Sequence, residues 1–132
     1  MVAARTAGDF MVRSPTVALP WQPLSMIRQV MLSNSYSYLP VRLNPSEDWR
    51  LVSDVALARF LRCAKGSDER NFRMSMKLKD AVEASQVALD KPACVAVTTP
   101  IDQFLGSLGA LPLLVLDERE ELIGIVTAFD LL

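Results

Sequence analysis

The sequence predicts an α+β fold in which the order strand, helix, strand, strand, helix occurs twice. The first indication is a pair of prolines eight residues apart, present once as Pro15 and Pro23 and again as Pro92 and Pro100. Each pair flanks a short β-prone run, and its second proline stands at the favoured first-turn position of a helix. Self-similarity of this kind indicates a duplicated structural unit.

Two further matches extend the repeat. A Leu-Pro dipeptide enters a strand after each of these helices, at residues 39–41 and 111–113. A later strand then runs into a hydroxyl residue that can cap the next helix, at residues 51–53 and 125–127. The two halves therefore match element by element.

The strands of the first half follow from short β-prone runs. Residues 1–13 form a lead-in with one helical turn at residues 9–11, and residues 16–19 form a first strand. Extended runs at residues 36–42 and 49–52 predict two more strands.

The helices of the first half follow from apolar periodicity and capping residues. The helix opened by Pro23 is broken at residues 34–35, and its apolar face consists of Leu24, Ile27, Val30 and Met31. Residues 53–54 cap a second helix that runs to about Arg62, and its inner side consists of Val55, Leu57, Ala58 and Leu61.

A polar, charged and poorly periodic segment, residues 63–77, connects the two halves. It is followed by a short helix at residues 79–84 and by a buried strand at residues 93–97. We therefore divide the chain into a first motif with its lead-in (1–62), the connecting segment, and a second motif (78–132), which together form one domain.

Composition narrows the class of function. Hydrophobic residues make up 51% and charged residues 22% of the chain, which is typical of an ordered globular protein. The net charge of −1 gives no reason to expect nucleic acid or a membrane as a partner. No apolar run has the length of a membrane span, and residues 1–12 lack the apolar centre of a secretion signal. We expect a cytoplasmic location.

The sequence also argues against catalysis and metal binding. It contains no histidine, the commonest general base and metal ligand, so Ser-His-Asp and Cys-His catalysis are excluded within the chain. Cys63 and Cys94 make neither a disulfide scaffold nor a zinc site. Cys94 is expected to be a small buried thiol in its strand, and Cys63 lies near a predicted helix end. We expect no enzyme, no required cofactor and no metal.

The most informative stretch is residues 121–132. An apolar strand at residues 122–126 runs into Thr127, which can cap a helix, and Asp130 suits the first helical turn. The backbone N–H groups of such a helix start can bind an anion, and Gly124 lets another group approach the backbone. Taken alone, the stretch is better interpreted as a plain strand, a capping box and a helix, and that helix is barely one turn long.

These residues resemble the cystathionine-β-synthase (CBS) motif. The likeness rests on Leu-Pro at the second strand of each half and on the run Gly-Ile-Val-Thr-Ala-Phe-Asp at residues 124–130. Two such motifs in tandem resemble a CBS-domain pair, or Bateman module, and the resemblance covers residues 8–132. It implies two motifs that pack through their sheets with pseudo-twofold symmetry, two clefts, and modules that commonly form homodimers.

The resemblance implies regulation rather than catalysis. Modules of this family bind adenosine-containing ligands such as AMP, ADP, ATP or S-adenosylmethionine, and they regulate an attached or separate effector protein. By the resemblance, Asp130 accepts hydrogen bonds from the ribose hydroxyls, Thr127 contacts ribose or phosphate, and small residues leave a slot for adenine. The expected ligand-binding residues are Lys91, Ala93, Cys94, Leu108, Gly109, Ala110, Ile125, Thr127 and Asp130.

The first motif departs from the family pattern. Arg50 stands where glycine is usual, Ala56 replaces the ribose-binding carboxylate, and Asp54 is two residues too early, which turns it to another side of the helix. We expect this cleft to be empty or weak. Its expected lining is Ser14, Thr16, Tyr36, Ser37, Arg50 and Ser53.

Two functions therefore remain open. The first is a regulatory module with one competent cleft in the second motif. The alternative is a ligand-free CBS pair that serves dimerisation or structure, in which Thr127 and Asp130 only cap a helix.

Overall fold

The computed structural model describes residues 5–62 and 65–132. The chain forms two compact units. The terminal unit contains the described residues up to Pro15 together with Pro92–Leu132, and the central unit is Thr16–Lys91. The motif boundaries predicted after residues 62 and 77 follow the repeat in the sequence, and both lie inside the central unit. The division into two motifs remains a prediction.

The described residues contain both helices and strands in an α+β arrangement, as the sequence predicts. Their order is α1 (Ala7–Phe10), β1 (Val12–Arg13), α2 (Leu24–Asn34), β2 (Tyr38–Val41), β3 (Arg50–Ser53), α3 (Asp54–Arg62), α4 (Gly66–Ser75), α5 (Leu78–Glu83), β4 (Cys94–Ala96), α6 (Ile101–Phe104), β5 (Leu113–Leu116) and β6 (Leu122–Val126). Single 3₁₀ turns follow α6 at Leu105–Ser107 and β6 at Ala128–Leu131. None of the helices in the described ranges combines the length and the apolar character that a membrane span requires.

Helix α2 forms where the sequence predicts it. Pro23 immediately precedes the helix, and Ser35 ends it by adopting a left-handed conformation with φ of 57°. The predicted apolar face packs into the core of the central unit through Leu24, Ile27 and Met31, with Val30 partly buried against it.

The central unit has a two-stranded antiparallel sheet of β2 and β3, in which Tyr38 pairs with Ser53 and Val41 with Arg50. The strand predicted at residues 16–19 is wrong. That segment is attached to β2 by a hydrogen bond of 2.8 Å from the Ala18 amide to the Pro40 carbonyl. Because Pro40 has no N–H, it cannot donate a second bond on that side, and the ladder does not extend.

Helix α3 begins at Asp54 as predicted, but its inner side is shifted. Leu57, Phe60 and Leu61 are buried, whereas Val55 is 52% exposed and Ala58 is also exposed. The prediction was therefore wrong for Val55 and Ala58.

Helix α4 lies within the segment that we interpreted as a polar connection. None of its residues is fully buried, but Met74 packs against the core of the central unit, and two arginines bind carbonyls of α3. Arg73 donates to the Phe60 carbonyl at 2.6 Å and stacks on the Phe60 ring at 4.7 Å, and Arg70 donates to the Leu61 carbonyl at 3.4 Å. These contacts satisfy carbonyls at the end of α3, where cations are also favoured by the helix dipole.

The terminal unit contains a four-stranded sheet in the order β1-β6-β5-β4. Strands β4 and β5 are parallel, and the other pairs are antiparallel. One face of this sheet covers a core formed by Ala7, Phe104, Leu113, Val115 and Val126.

Strand β4 corrects two predictions. It lies at the edge of the sheet, and Cys94 and Ala96 are exposed, so the buried strand and the buried thiol were wrong. An apolar run does not distinguish an edge strand from a central one, because burial depends on the strand order. The prediction for Cys63 lies outside the described residues.

Candidate functional site

The candidate site lies at one end of the sheet of the terminal unit. Cys94 pairs with Leu114 in the parallel ladder, and Leu113 pairs with Val126 in the antiparallel one. The amino ends of β4 and β5 therefore meet the carboxyl end of β6. Residues 93–94, 108–110 and 127–130 precede or follow these strand ends, so the sheet gathers most of the predicted ligand-binding residues.

A row of side chains crosses this end of the sheet. Cys94 and Ile125 flank Leu114 on either side, and Val12 follows beyond Ile125. The Leu114 amide also donates to the Ala93 carbonyl at 3.0 Å. Because side chains alternate between faces, this row is opposite the core that contains Leu113. Leu114 is fully buried, Ile125 is half-buried and Cys94 is exposed.

The segment leading into β5 is open. Gly109 and Ala110 are exposed, and Leu108 is half-buried. A Cβ added to Gly109 would meet no heavy atom within 4 Å among the residues that the structure describes. Tight packing therefore does not explain the glycine at this position, whereas a slot for a flat ring remains compatible with it.

Thr127 and Asp130 form the predicted capping box. The Thr127 amide donates to Oδ2 of Asp130 at 2.8 Å, and the Thr127 hydroxyl contacts the same oxygen at 3.2 Å. The Asp130 amide donates to the Thr127 carbonyl at 3.0 Å. Within residues 5–62 and 65–132, Oδ1 of Asp130 has no hydrogen-bond donor. One carboxylate oxygen thus holds the turn, and the other can accept further donors.

Sequence reasoning missed a second box of the same type in the same unit. The Thr6 amide donates to Oδ2 of Asp9 at 2.8 Å, and the Thr6 hydroxyl lies 3.3 Å from that oxygen. Residues 6–9 read Thr-Ala-Gly-Asp and residues 127–130 read Thr-Ala-Phe-Asp, so the shared spacing was the available signal. The first of these boxes caps α1, which shows that the pattern by itself is a structural one.

Gly124 has a structural role on the core side of the sheet. A Cβ added there would lie 2.7 Å from Cγ and 2.8 Å from Cβ of Met11, and closer still to its sulfur. The group that approaches the backbone at Gly124 is therefore a side chain of this chain's own lead-in.

The expected weak cleft lies mainly in the central unit. Ser37 and Ser53 are neighbours, because the Asp54 amide donates to the Ser37 carbonyl at 2.9 Å. Ser53 is only 6% exposed, and its hydroxyl accepts from the Ala56 amide at 3.0 Å. Its oxygen is thus used as a helix cap.

The remaining predicted residues have different settings. Arg50 donates to the Trp49 carbonyl at 3.2 Å. Lys91 is an exposed residue at the end of the central unit. The weak-cleft set has four exposed members, which are Ser14 of the terminal unit and Thr16, Tyr36 and Ser37 of the central unit.

The described residues contain no group of three or more cysteine, aspartate or glutamate side chains that is arranged to hold a metal ion. Chemically, the site offers one carboxylate oxygen, a hydroxyl and an open backbone segment. These groups suit a ligand that carries hydroxyl donors and a flat ring.

Comparison with known proteins identifies the fold. Residues 84–132 match the family model of the CBS domain. Comparison with curated proteins gives no match. Among solved structures, a CBS domain-containing protein of unknown function from Bacillus anthracis superposes with a TM-score of 0.70 at 19% identity, over 96% of this chain and 88% of that one.

Two similar structures contain nucleotides. CBSX2 in complex with AMP gives a TM-score of 0.62 at 20% identity, over 95% of this chain and 91% of that one. CBSX2 from Arabidopsis thaliana gives 0.67 at 22% identity, over 97% and 92%. CbpB in complex with c-di-AMP gives 0.71 at 11% identity, over 97% and 82%. The match to the CBS-domain model thus covers residues 84–132, and the chain as a whole has the α+β fold of CBS-domain proteins.

Proposed function

We propose that this chain is a regulatory module that binds an adenosine-containing ligand at one cleft, at the strand ends of the terminal unit. The observation that carries the proposal is the gathering of residues 93–94, 108–110 and 127–130 at one end of a single sheet. The AMP and c-di-AMP complexes of similar folds support this class of ligand.

The chemistry of the site suits a ribose. An ionised carboxylate accepts hydrogen bonds only, and Oδ1 of Asp130 is the oxygen that the capping box leaves over. Hydrogen bonds from hydroxyls to a carboxylate are short and strong, so a sugar diol is a fitting partner. The Thr127 hydroxyl donates to Asp130 and keeps its own lone pairs for a donating ribose hydroxyl. Adenine would then lie along the open segment at Gly109.

The ligand would be AMP, ADP, ATP or S-adenosylmethionine, and no catalytic turnover is part of the proposal. We further propose a cytoplasmic homodimer that acts on an attached or separate effector protein. The second cleft, at Ser37 and Ser53, would contribute little, because the buried Ser53 hydroxyl already caps α3.

One observation favours a second candidate, a ligand-free CBS pair that serves dimerisation. The box at Thr6 and Asp9 has the same geometry as the box at Thr127 and Asp130 and caps a helix. In this alternative, Asp130 would likewise do no more than hold its turn.

Isothermal titration calorimetry separates the two candidates. The purified chain is titrated with AMP, ADP, ATP, S-adenosylmethionine and c-di-AMP, before and after Asp130→Asn. Asparagine keeps an acceptor for the capping box but loses the carboxylate charge, so we expect at least one ligand to bind and its affinity to fall about tenfold. Asp9→Asn makes the same change in the other box and is expected to leave affinity unchanged.

Two outcomes contradict the nucleotide proposal. One is the absence of binding heat with every adenosine-containing ligand, while the protein remains a folded dimer by sedimentation. The other is equal affinity in the wild type and Asp130→Asn, which would place any bound nucleotide elsewhere.

A further inference from the structure

A groove in the central unit lies between helices α2, α3 and α4. Its volume is about 340 Å³, at the lower end of the range for small-molecule pockets. None of the residues predicted to bind a nucleotide lines it. The groove therefore shares no residue with the proposed nucleotide site.

The floor of the groove is apolar. Met31, Leu57 and Leu61 lie at its base and belong to the buried core of the unit. Leu32 forms part of the wall and is 61% exposed. The groove thus offers apolar surface that a ligand could cover.

The rim of the groove is positively charged. Arg28, Arg62 and Arg70 line it, against the single carboxylate of Asp54. Arg70 donates to the Leu61 carbonyl at 3.4 Å. In the part of the chain that the structure describes, Arg28 and Arg62 make no hydrogen bond or ion pair. Two guanidinium groups beside an apolar floor can therefore receive an anionic group.

We propose that this groove binds a small amphipathic anion. Its apolar body lies on Met31, Leu57 and Leu61, and its carboxylate or phosphate meets Arg28 and Arg62. The chemical class is that of a free medium-chain carboxylic acid or a similar apolar molecule with one anionic end.

Other occupants fit the groove less well. A second copy related by a twofold axis would bring the arginine rim of each groove towards the other, and like charges oppose such a contact. An anionic membrane would meet a chain whose net charge is −1.

The test uses decanoate, below its micelle concentration, titrated into the full chain and followed by calorimetry and amide NMR shifts. Decanol is the neutral match. We expect decanoate to bind more tightly than decanol and to shift the amides of α2 and α3. Arg28→Gln and Arg62→Gln should each weaken decanoate binding about fivefold. Arg59→Gln, an exposed change on α3 outside the groove, should leave the affinity unchanged.

The apolar contribution has its own pair of variants. Leu32→Ser removes apolar wall from an exposed position, so the fold should tolerate it while decanoate binding weakens. Met26→Ser is the matched change on α2 outside the groove and should not alter binding. Unfolding curves of all variants confirm that they are folded before affinities are compared.

Three results would overturn the proposal. The first is no binding of decanoate, or equal affinity for decanoate and decanol. The second is retention on phosphatidylglycerol vesicles that depends on Arg28 and Arg62 while free decanoate does not bind, which would assign the surface to a membrane. The third is a change of oligomeric state in Arg28→Gln or Arg62→Gln without decanoate binding by the wild type, which would assign the groove to a second copy.

Discussion

Gly124→Ala should destabilise the protein through a contact with one side chain. The new Cβ would lie within 2.8 Å of the Cβ and Cγ atoms of Met11, so the methionine must move out of its place beside the core of the terminal unit. Overpacking of this kind costs about 1–3 kcal/mol. Gly124 does not have a positive φ, so alanine itself fits the backbone and should recover about 0.4–1 kcal/mol by restricting the unfolded chain. The net cost is about 1–2 kcal/mol.

A double-mutant cycle isolates the contact. In a Met11→Ala background Cγ and Sδ are gone and only the contact with the Cβ atom of residue 11, at 2.8 Å, remains, so Gly124→Ala should cost clearly less than in the wild type. The coupling free energy between the two positions is then about 1 kcal/mol. Urea unfolding of the four proteins measures it, provided that the m-values agree.

Gly106→Ala is the matched control, because a Cβ at Gly106 would have no described heavy atom within 4 Å. Its effect should be small and the same in both backgrounds. If Gly124→Ala costs as much in Met11→Ala as in the wild type, the clash with Met11 is not the cause, and the close packing of the lead-in over β6 is refuted.

Two further predictions concern the central unit. Ser53→Ala removes the acceptor of the Ala56 amide at the start of α3, and it should lower the free energy of unfolding by about 1 kcal/mol; an unchanged urea midpoint would contradict the cap. The pKa of Glu69 lies below its ordinary value of 4.5, mainly because the backbone N–H of Lys65 donates to the Glu69 carboxylate at 2.5 Å. Desolvation opposes this lowering, and Arg73, whose guanidinium lies 2.7 Å from the carboxylate, adds to it. Because the folded state favours the ionised form, this contribution to stability is complete above pH 4.5 and is lost as the pH falls through the lowered pKa of the folded state. NMR shifts of α4 should report that loss in the wild type, and equal acid sensitivity in Glu69→Gln would contradict it.

The sequence predicted the elements whose local pattern coincides with their packing. Helix α2 has both a proline start and an apolar face that meets the core, and the strand at residues 122–126 runs into its capping box as expected. In these two elements propensity, capping and burial indicate the same structure, so each element can be predicted without knowledge of its neighbours.

The predictions that were wrong share one physical reason: the structure at those positions depends on contacts with distant parts of the chain. Helix α4 packs on the core only through the partly buried Met74, and Arg70 and Arg73 bind carbonyls of α3, so its sequence has no apolar stripe that would reveal a packed helix. Cys94 is exposed because β4 lies at the edge of its sheet, and strand order cannot be read from a strand's own residues.

The candidate site was predictable only in part. Thr127 and Asp130 carried a local signal, and the capping box formed as expected. Only the three-dimensional arrangement shows that Oδ2 of Asp130 holds the turn while Oδ1 is left over. The open space at Gly109 is likewise visible only in the structure.

The most direct test of the proposed function is a crystal structure of this chain with the adenosine-containing ligand that binds most tightly. The account predicts the adenine ring beside Gly109 and a ribose hydroxyl within hydrogen-bond distance, about 2.5–2.7 Å, of Oδ1 of Asp130, with Oδ2 still bound to Thr127. A ligand bound away from Asp130, or a ribose turned from it, would contradict the assignment of this cleft.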